Sequence, residues 1–320
     1  MKRLETLSSL APYRLLRHVI TQQQATDNGV VPVAFTPDVE FWDEFECAAM
    51  FIDISGFSRI TDILFNKHGL EGVETLASTL NLYLGRIVET LTQSGGDVIK
   101  FAGDAALVVF PVTADKDLTQ QALKATQLSL QCIAELEHED SNVEGVQLTA
   151  HTGIGVGTVT GFLVGGVFNR SEYAVVGEPV TQIASAEPAA GNGETVVSAE
   201  TWALIEPFSE GRLTTDDNWL VTGTKEGQGL SEAFLHTAGG SGVSAELQLL
   251  DKEHANLVAA SIKQFVSDPW WTSPHHPTSG RSYRVRARWI VRLLRYRVVS
   301  AIVSSSSLQC RSLASQSSGT

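Results

Sequence analysis

Cysteine is scarce here: Cys47, Cys132 and Cys310 are the only three, and they offer neither a metal-ligand spacing nor an even-numbered disulfide framework. They read as two core thiols and one tail thiol in a reducing compartment. The N-terminus, MKRLETLSSLAPYRLL, has an early basic pair but lacks both the apolar run and the small-residue cleavage pattern of a secretory signal. A cytoplasmic location is therefore expected. No internal repeat with a period of roughly 20 to 50 residues is evident, which excludes solenoids and propellers.

Positive charge is lacking over most of the chain. The net charge is -13, yet residues 281–320 hold eight arginines and no acidic residue, so subtracting +8 leaves about -21 on residues 1–280. An acidic body of that kind repels nucleic acid and membrane surfaces. It can still hold a small polyanionic substrate where metal ions supply local positive charge. With 43% hydrophobic residues in 320, the chain can bury a full core in one or two domains.

The first strong structural signal is the apolar run CAAMFIDIS, Cys47 to Ser55, which reads as a buried central strand. It breaks at Ser55-Gly56. Helical spacing follows over Phe57 to Asn66 and Leu70 to Ser94, closed by Gly95-Gly96. DVIKFA and ALVVF then flank Gly103-Asp104 as a hairpin. A helix over Asp117 to Glu137 and the acidic surface loop EHEDSNVEG come next. The glycine-rich stretch VQLTAHTGIGVGTVTGFLVGG is expected to form a long hairpin, EYAVVG a further strand, and Pro179 to Ala190 a helix. Short strands and one helix are expected over 195–235. This order describes an α/β (α+β) sandwich with a mixed sheet of ferredoxin-like kind.

Two aspartates stand at chemically useful points. Asp53 ends the first strand ahead of ISGF, a tight turn into a helix whose free amides suit phosphate. Asp104 sits at the hairpin tip, and the two carboxylates meet over the same ions if that hairpin pairs beside the first strand. Magnesium suits such a pair, because it takes one or two carboxylates and fills its other positions with water and phosphate oxygens. Two ions so held activate a hydroxyl and stabilise leaving pyrophosphate. Taken singly, each aspartate is better explained as a turn former than as a ligand.

The joint pattern FIDISGF, GGDVIKFAGDA and, after the glycine-rich strand, VVGEPV resembles the class III adenylyl and guanylyl cyclases. Within them it is most similar to the first cyclase domain of the bicarbonate-responsive soluble adenylyl cyclases. The likeness covers roughly residues 30 to 235. It implies that Asp53, the carbonyl of Ile54, and Asp104 bind two Mg²⁺ or Mn²⁺ ions, and that the amides of Ser55, Gly56 and Phe57 hold triphosphate. His151 stands where these cyclases tend to carry a lysine near the nucleotide, so a phosphate contact and a plain strand histidine both stay open.

The same likeness exposes departures. The family's complementary domain supplies an asparagine, an arginine and a base-reading aspartate from positions that here hold Thr181, Ser185 and Ala174. Without such an arginine, transition-state charge goes uncompensated. Lys100, with the amides near Val175, matches an anion effector site of the family, but the arginine partner of that anion is replaced by Ala184, so an anion contact and a plain solvated strand lysine both stay open. Gly95-Gly96-Asp97 looks superficially like the GGDEF signature of diguanylate cyclases, yet the hairpin tip falls at Gly103-Asp104 instead.

The resulting expectation divides the chain into an N-terminal helical segment (1–30), a cyclase domain (31–235), a linker helix (236–268) and a basic, serine-rich tail (269–320). In the tail, arginines alternate with apolar residues, which allows contact with acidic lipid. Beyond residue 235 the helix at 244–266 resembles the family's linker towards its second domain, and because the resemblance ends near Val266, where that domain would begin, a truncated or aberrant end is the preferred reading. The implied function is an adenylyl cyclase half-site converting ATP to cyclic AMP with a complementary cyclase domain, in cis or in trans. A catalytically silent nucleotide-binding module and a guanylyl cyclase remain the alternatives.

Overall fold

The computed structural model describes residues 12–25, 42–68, 83–138, 148–167, 170–214 and 216–235. The expected linker helix and basic tail lie outside the described residues, as does Cys310. Cys47 and Cys132 are buried free thiols, and burial pushes both up to about 12.

Eight described strands form one mixed sheet. They are β1 (Trp42–Ser55), β2 (Asp97–Ala102), β3 (Ala105–Pro111), β4 (Thr149–Val167), β5 (Arg170–Gly177), β6 (Thr195–Val197), β7 (Ser209–Leu213) and β8 (Trp219–Thr224). Their order is β2-β3-β1-β4-β6-β8-β7, with β5 on the far part of β4. The helices are α1 (Tyr13–Ala25), α2 (Phe57–His68), α3 (residues 83–93), α4 (Leu118–His138), α5 (Glu178–Ala186), α6 (Ala199–Ile205) and the single turn α7 (Glu232–Leu235).

Central strand β1 is apolar on both faces because both are covered. Ala48, Met50, Ile52 and Ile54 join the core beneath α4, with Leu128, Cys132 and Leu136. Cys47 and Ala49 face the opposite cluster, which α1 closes with Leu15, Leu16, Val19 and Ile20. Asp97 fixes the start of α1 from a distance: its carboxylate accepts from the Tyr13 amide at 2.7 Å and the Arg14 amide at 3.1 Å. Helix α4 starts on a reciprocal cap, since Asp117 Oδ1 accepts from the Gln120 amide at 2.8 Å while Gln120 Oε1 accepts from the Asp117 amide at 3.1 Å.

Four sequence expectations need correction. Strand β1 begins at Trp42, because Trp42 to Glu46 continue the antiparallel ladder against Phe162 to Thr158 of β4. The glycine-rich stretch is one 19-residue strand, and the hairpin lies between β4 and β5. Its glycines serve close approach: a Cβ on Gly155 would meet the Pro179 carbonyl oxygen at 2.5 Å, so only glycine lets α5 lie on the sheet there. Finally, α5 stops at Ala186 and a 3₁₀ turn, Glu187–Ala189, follows, because Pro188 cannot donate the next helical hydrogen bond. The stretch 195–235 also carries two helices, α6 and the short α7, in place of one.

Candidate active site

The register of the sheet assembles the site. Asp53 on β1 is paired with His151 on β4 and with Ala105 on β3, so Asp104 at the β2–β3 tip stands beside it. Gly103, with φ 79, makes that tip possible. The Ile54 amide donates to the Asp104 carbonyl oxygen at 3.4 Å, tying tip to strand end. Ser55 ends β1, Gly56 forms the turn, and Phe57 opens α2.

Asp53 is held in an electrostatically unfavourable position. Burial, and next the charge of Asp104, push its pKa up to about 6. Asp104 is also raised, chiefly by burial. Asp53 Oδ1 is buried without a hydrogen-bond partner. Two neighbouring carboxylates with an unanswered buried oxygen are what a divalent cation would neutralise, so these residues fit a metal such as magnesium.

His151 is better anchored than a surface strand histidine. Its Nδ1 lies 3.1 Å from Ser55 Oγ, and its Nε2 lies 2.9 Å from Glu187 Oε1 and 3.8 Å from Asp53 Oδ2. The Glu187 hydrogen bond is the main reason its pKa is raised, with Asp53 adding to it against the effect of burial. Asp53, His151 and Glu187 each offer a ligand atom within 4.8 Å of the others, a cluster in which Asp104 has no part. Sequence reasoning missed Glu187, read there as one residue of a helix. The signals available were Pro188, which breaks that helix, and Gly153, which admits its backbone.

The remaining expected site residues lie elsewhere. Lys100 Nζ donates to Glu172 Oε2 at 2.9 Å, with both side chains nearly half exposed. Val175 is buried on β5 opposite Gly161. On α5, Thr181 Oγ1 donates to the Gly177 carbonyl oxygen at 3.4 Å, and Ser185 Oγ accepts from Asn218 Nδ2 at 2.9 Å. Neither of those positions carries a cation. Among the described residues no helix is long and apolar enough to cross a membrane.

The architecture is that of a known class. The adenylyl cyclase CyaB from P. aeruginosa superposes with a TM-score of 0.50 at 21% identity, over 60% of this chain and 100% of that one, and so shares its fold. The family of the adenylate and guanylate cyclase catalytic domain matches residues 42–235, and the chain belongs to it. Among curated relatives, adenylate cyclase type 10 of Homo sapiens is 31% identical over 173 residues, 54% of this chain and 11% of that protein. The Mus musculus protein of the same name is 29% identical over 197 residues, 58% of this chain and 12% of its own length. The chain thus spans only about a ninth of the curated relatives it matches.

Proposed function

We propose that this chain supplies the metal-holding half of an adenylyl cyclase centre, converting ATP to cyclic AMP and pyrophosphate together with a complementary cyclase domain. The observation that carries this reading is the Asp53–Asp104 pair: two half-buried carboxylates, at the end of a strand and at the neighbouring hairpin tip, with the charge of Asp104 raising the pKa of Asp53 and one Asp53 oxygen unpartnered. Asp53, the Ile54 carbonyl and Asp104 would hold two Mg²⁺ or Mn²⁺ ions. When bound, those ions favour ionisation of the ribose 3'-hydroxyl and offset charge on the departing pyrophosphate. The amides of Ser55, Gly56 and Phe57 orient the triphosphate, and the seated α2 keeps them aimed at it. His151 positions Asp53 from the neighbouring strand.

The partner is needed because the outer face of α5 presents Thr181, Ala184 and Ser185, which cannot offset transition-state charge. Phe101, Val164 and Val176, each 45–50% exposed on β2, β4 and β5, supply apolar area for such a partner to cover. ATP is favoured over GTP by the similarity to adenylate cyclase type 10. An effector anion at Lys100 would have to displace Glu172.

The test mixes the purified chain with a complementary soluble-cyclase domain, Mg²⁺ or Mn²⁺, and either ATP or GTP. Cyclic AMP above the partner-alone control is expected, and it disappears in Asp53→Ala and Asp104→Ala. Nucleotide binding without product in any pairing would instead make the chain a silent binding module.

A further inference from the structure

We propose that Asp53, His151 and Glu187 form a second cation site, built for a divalent transition-metal ion of the zinc or cobalt type, which shares Asp53 with the carboxylate pair. The existence of this site does not rest on the cyclase reading. Its consequence does: an ion bound there competes with magnesium for Asp53.

The donor set is the first reason. One imidazole nitrogen and two carboxylates suit zinc and cobalt, whereas magnesium and manganese prefer oxygen ligands. Spacing is the second. Ligands about 2.0–2.1 Å from a tetrahedral ion lie about 3.3 Å apart. The Nε2–Oε1 and Nε2–Oδ2 separations are 2.9 and 3.8 Å, and all three ligand atoms fall within 4.8 Å, so modest rotamer shifts suffice.

The surroundings of the histidine are the third reason. A ligating histidine is usually held through its other ring nitrogen, and here Ser55 Oγ holds Nδ1 at 3.1 Å, leaving Nε2 directed at both carboxylates. Glu187 is seated by backbone rather than by chance of rotamer. Gly153, two residues along β4 from His151, has no side chain, and the 3₁₀ turn occupies that space. The cluster is also only partly exposed, at 15%, 31% and 23% for His151, Asp53 and Glu187, which leaves a route for an ion and limits competing water.

The experiment titrates CoCl₂ into the chelator-stripped full chain, following the visible absorption of bound cobalt, with zinc displacement measured by calorimetry. One equivalent of cobalt is expected, displaced by zinc. Glu187→Gln and His151→Gln should each weaken cobalt binding by about tenfold or more, Glu187→Asp should restore part of it, and Asp104→Asn should change it by less than about threefold. Circular dichroism and thermal melting confirm that each variant is folded. Wild-type cobalt affinity in both Glu187→Gln and His151→Gln would overturn the proposal, as would a loss in Asp104→Asn as deep as in Asp53→Asn. A parallel Mg²⁺ titration separates the two readings. Magnesium binding lost in Asp104→Asn but kept in Glu187→Gln supports the carboxylate pair, and its persistence in Asp104→Asn overturns that pair without touching the transition-metal site.

Discussion

Glu187 rests on Gly153 so closely that a Cβ at position 153 would come within 2.6 Å of the Glu187 amide nitrogen and 2.8 Å of its Cα. The clash is with backbone, which cannot swing aside as a side chain can. Gly153→Ala should therefore cost about 1–3 kcal/mol of stability and separate Glu187 from His151. Chemical denaturation reads the first effect. Loss of cobalt affinity comparable to that of Glu187→Gln reads the second.

Asp53 and Asp104 oppose each other electrostatically in the absence of an ion, each with its pKa raised mainly by burial. Asp104→Asn removes one of the two charges, so the metal-free protein should melt at a higher temperature than wild type at neutral pH. The same variant should lose the rise in melting temperature that millimolar Mg²⁺ or Mn²⁺ produces in wild type. Activity in the paired assay should fall with it. A metal-free melting temperature equal to or below that of wild type would contradict this account of the pair.

Asp97 gives the fold a pH dependence of definite sign. Burial outweighs the two amides it accepts from and lifts its pKa to about 6 from 3.8. Between about pH 4 and pH 6 the folded chain therefore binds a proton that the unfolded chain has released, and this residue's contribution to stability falls as pH rises through that window. Asp97→Asn should flatten this slope in urea unfolding across a pH series. Asp97→Ala should strip the Tyr13 and Arg14 amides of their acceptor and cost about 1–3 kcal/mol.

Arg14 joins α1 to the sheet. Its Nε and Nη2 donate to Asp43 at 2.5 and 2.7 Å, and its guanidinium lies 3.7 Å above the Phe45 ring. Arg14→Ala should destabilise the chain by about 2 kcal/mol, because it leaves a half-buried carboxylate beside an uncovered ring. Arg14→Lys should recover only part of that, since a point charge cannot make the forked contact or stack as a plane. Thermal melts of the three proteins at one salt concentration provide the comparison.

What could be read without a structure was the local chemistry of the chain. The buried strand through Asp53, the turn at Ser55-Gly56 and the hairpin carrying Asp104 are written in short patterns: an apolar run, a glycine with its turn, and paired strands around Gly103-Asp104. Such patterns report the conformational preferences of neighbouring residues, and here the sheet agreed with them. The ferredoxin-like element order implied β3 beside β1 only as a condition, and the sheet meets it. Where one residue type serves two purposes, the pattern misled. The glycines of β4 looked like turn residues, but they are the flat floor on which α5 and Glu187 lie.

Tertiary structure decided the rest, because it concerns groups brought together by register across long separations. Glu187 meets His151 over 36 residues, Lys100 finds Glu172 over 72, and the amides of Tyr13 and Arg14 reach Asp97 over 84 and 83. No local preference encodes those contacts. They exist because one continuous sheet aligns Asp53 with His151 and a missing side chain at Gly153 lets a proline-ended helix settle against them. The sequence by itself placed Asp53 at a strand end and Asp104 at a hairpin tip; only the folded chain, through the register of its sheet, brought the two together and set an imidazole and a third carboxylate beside them.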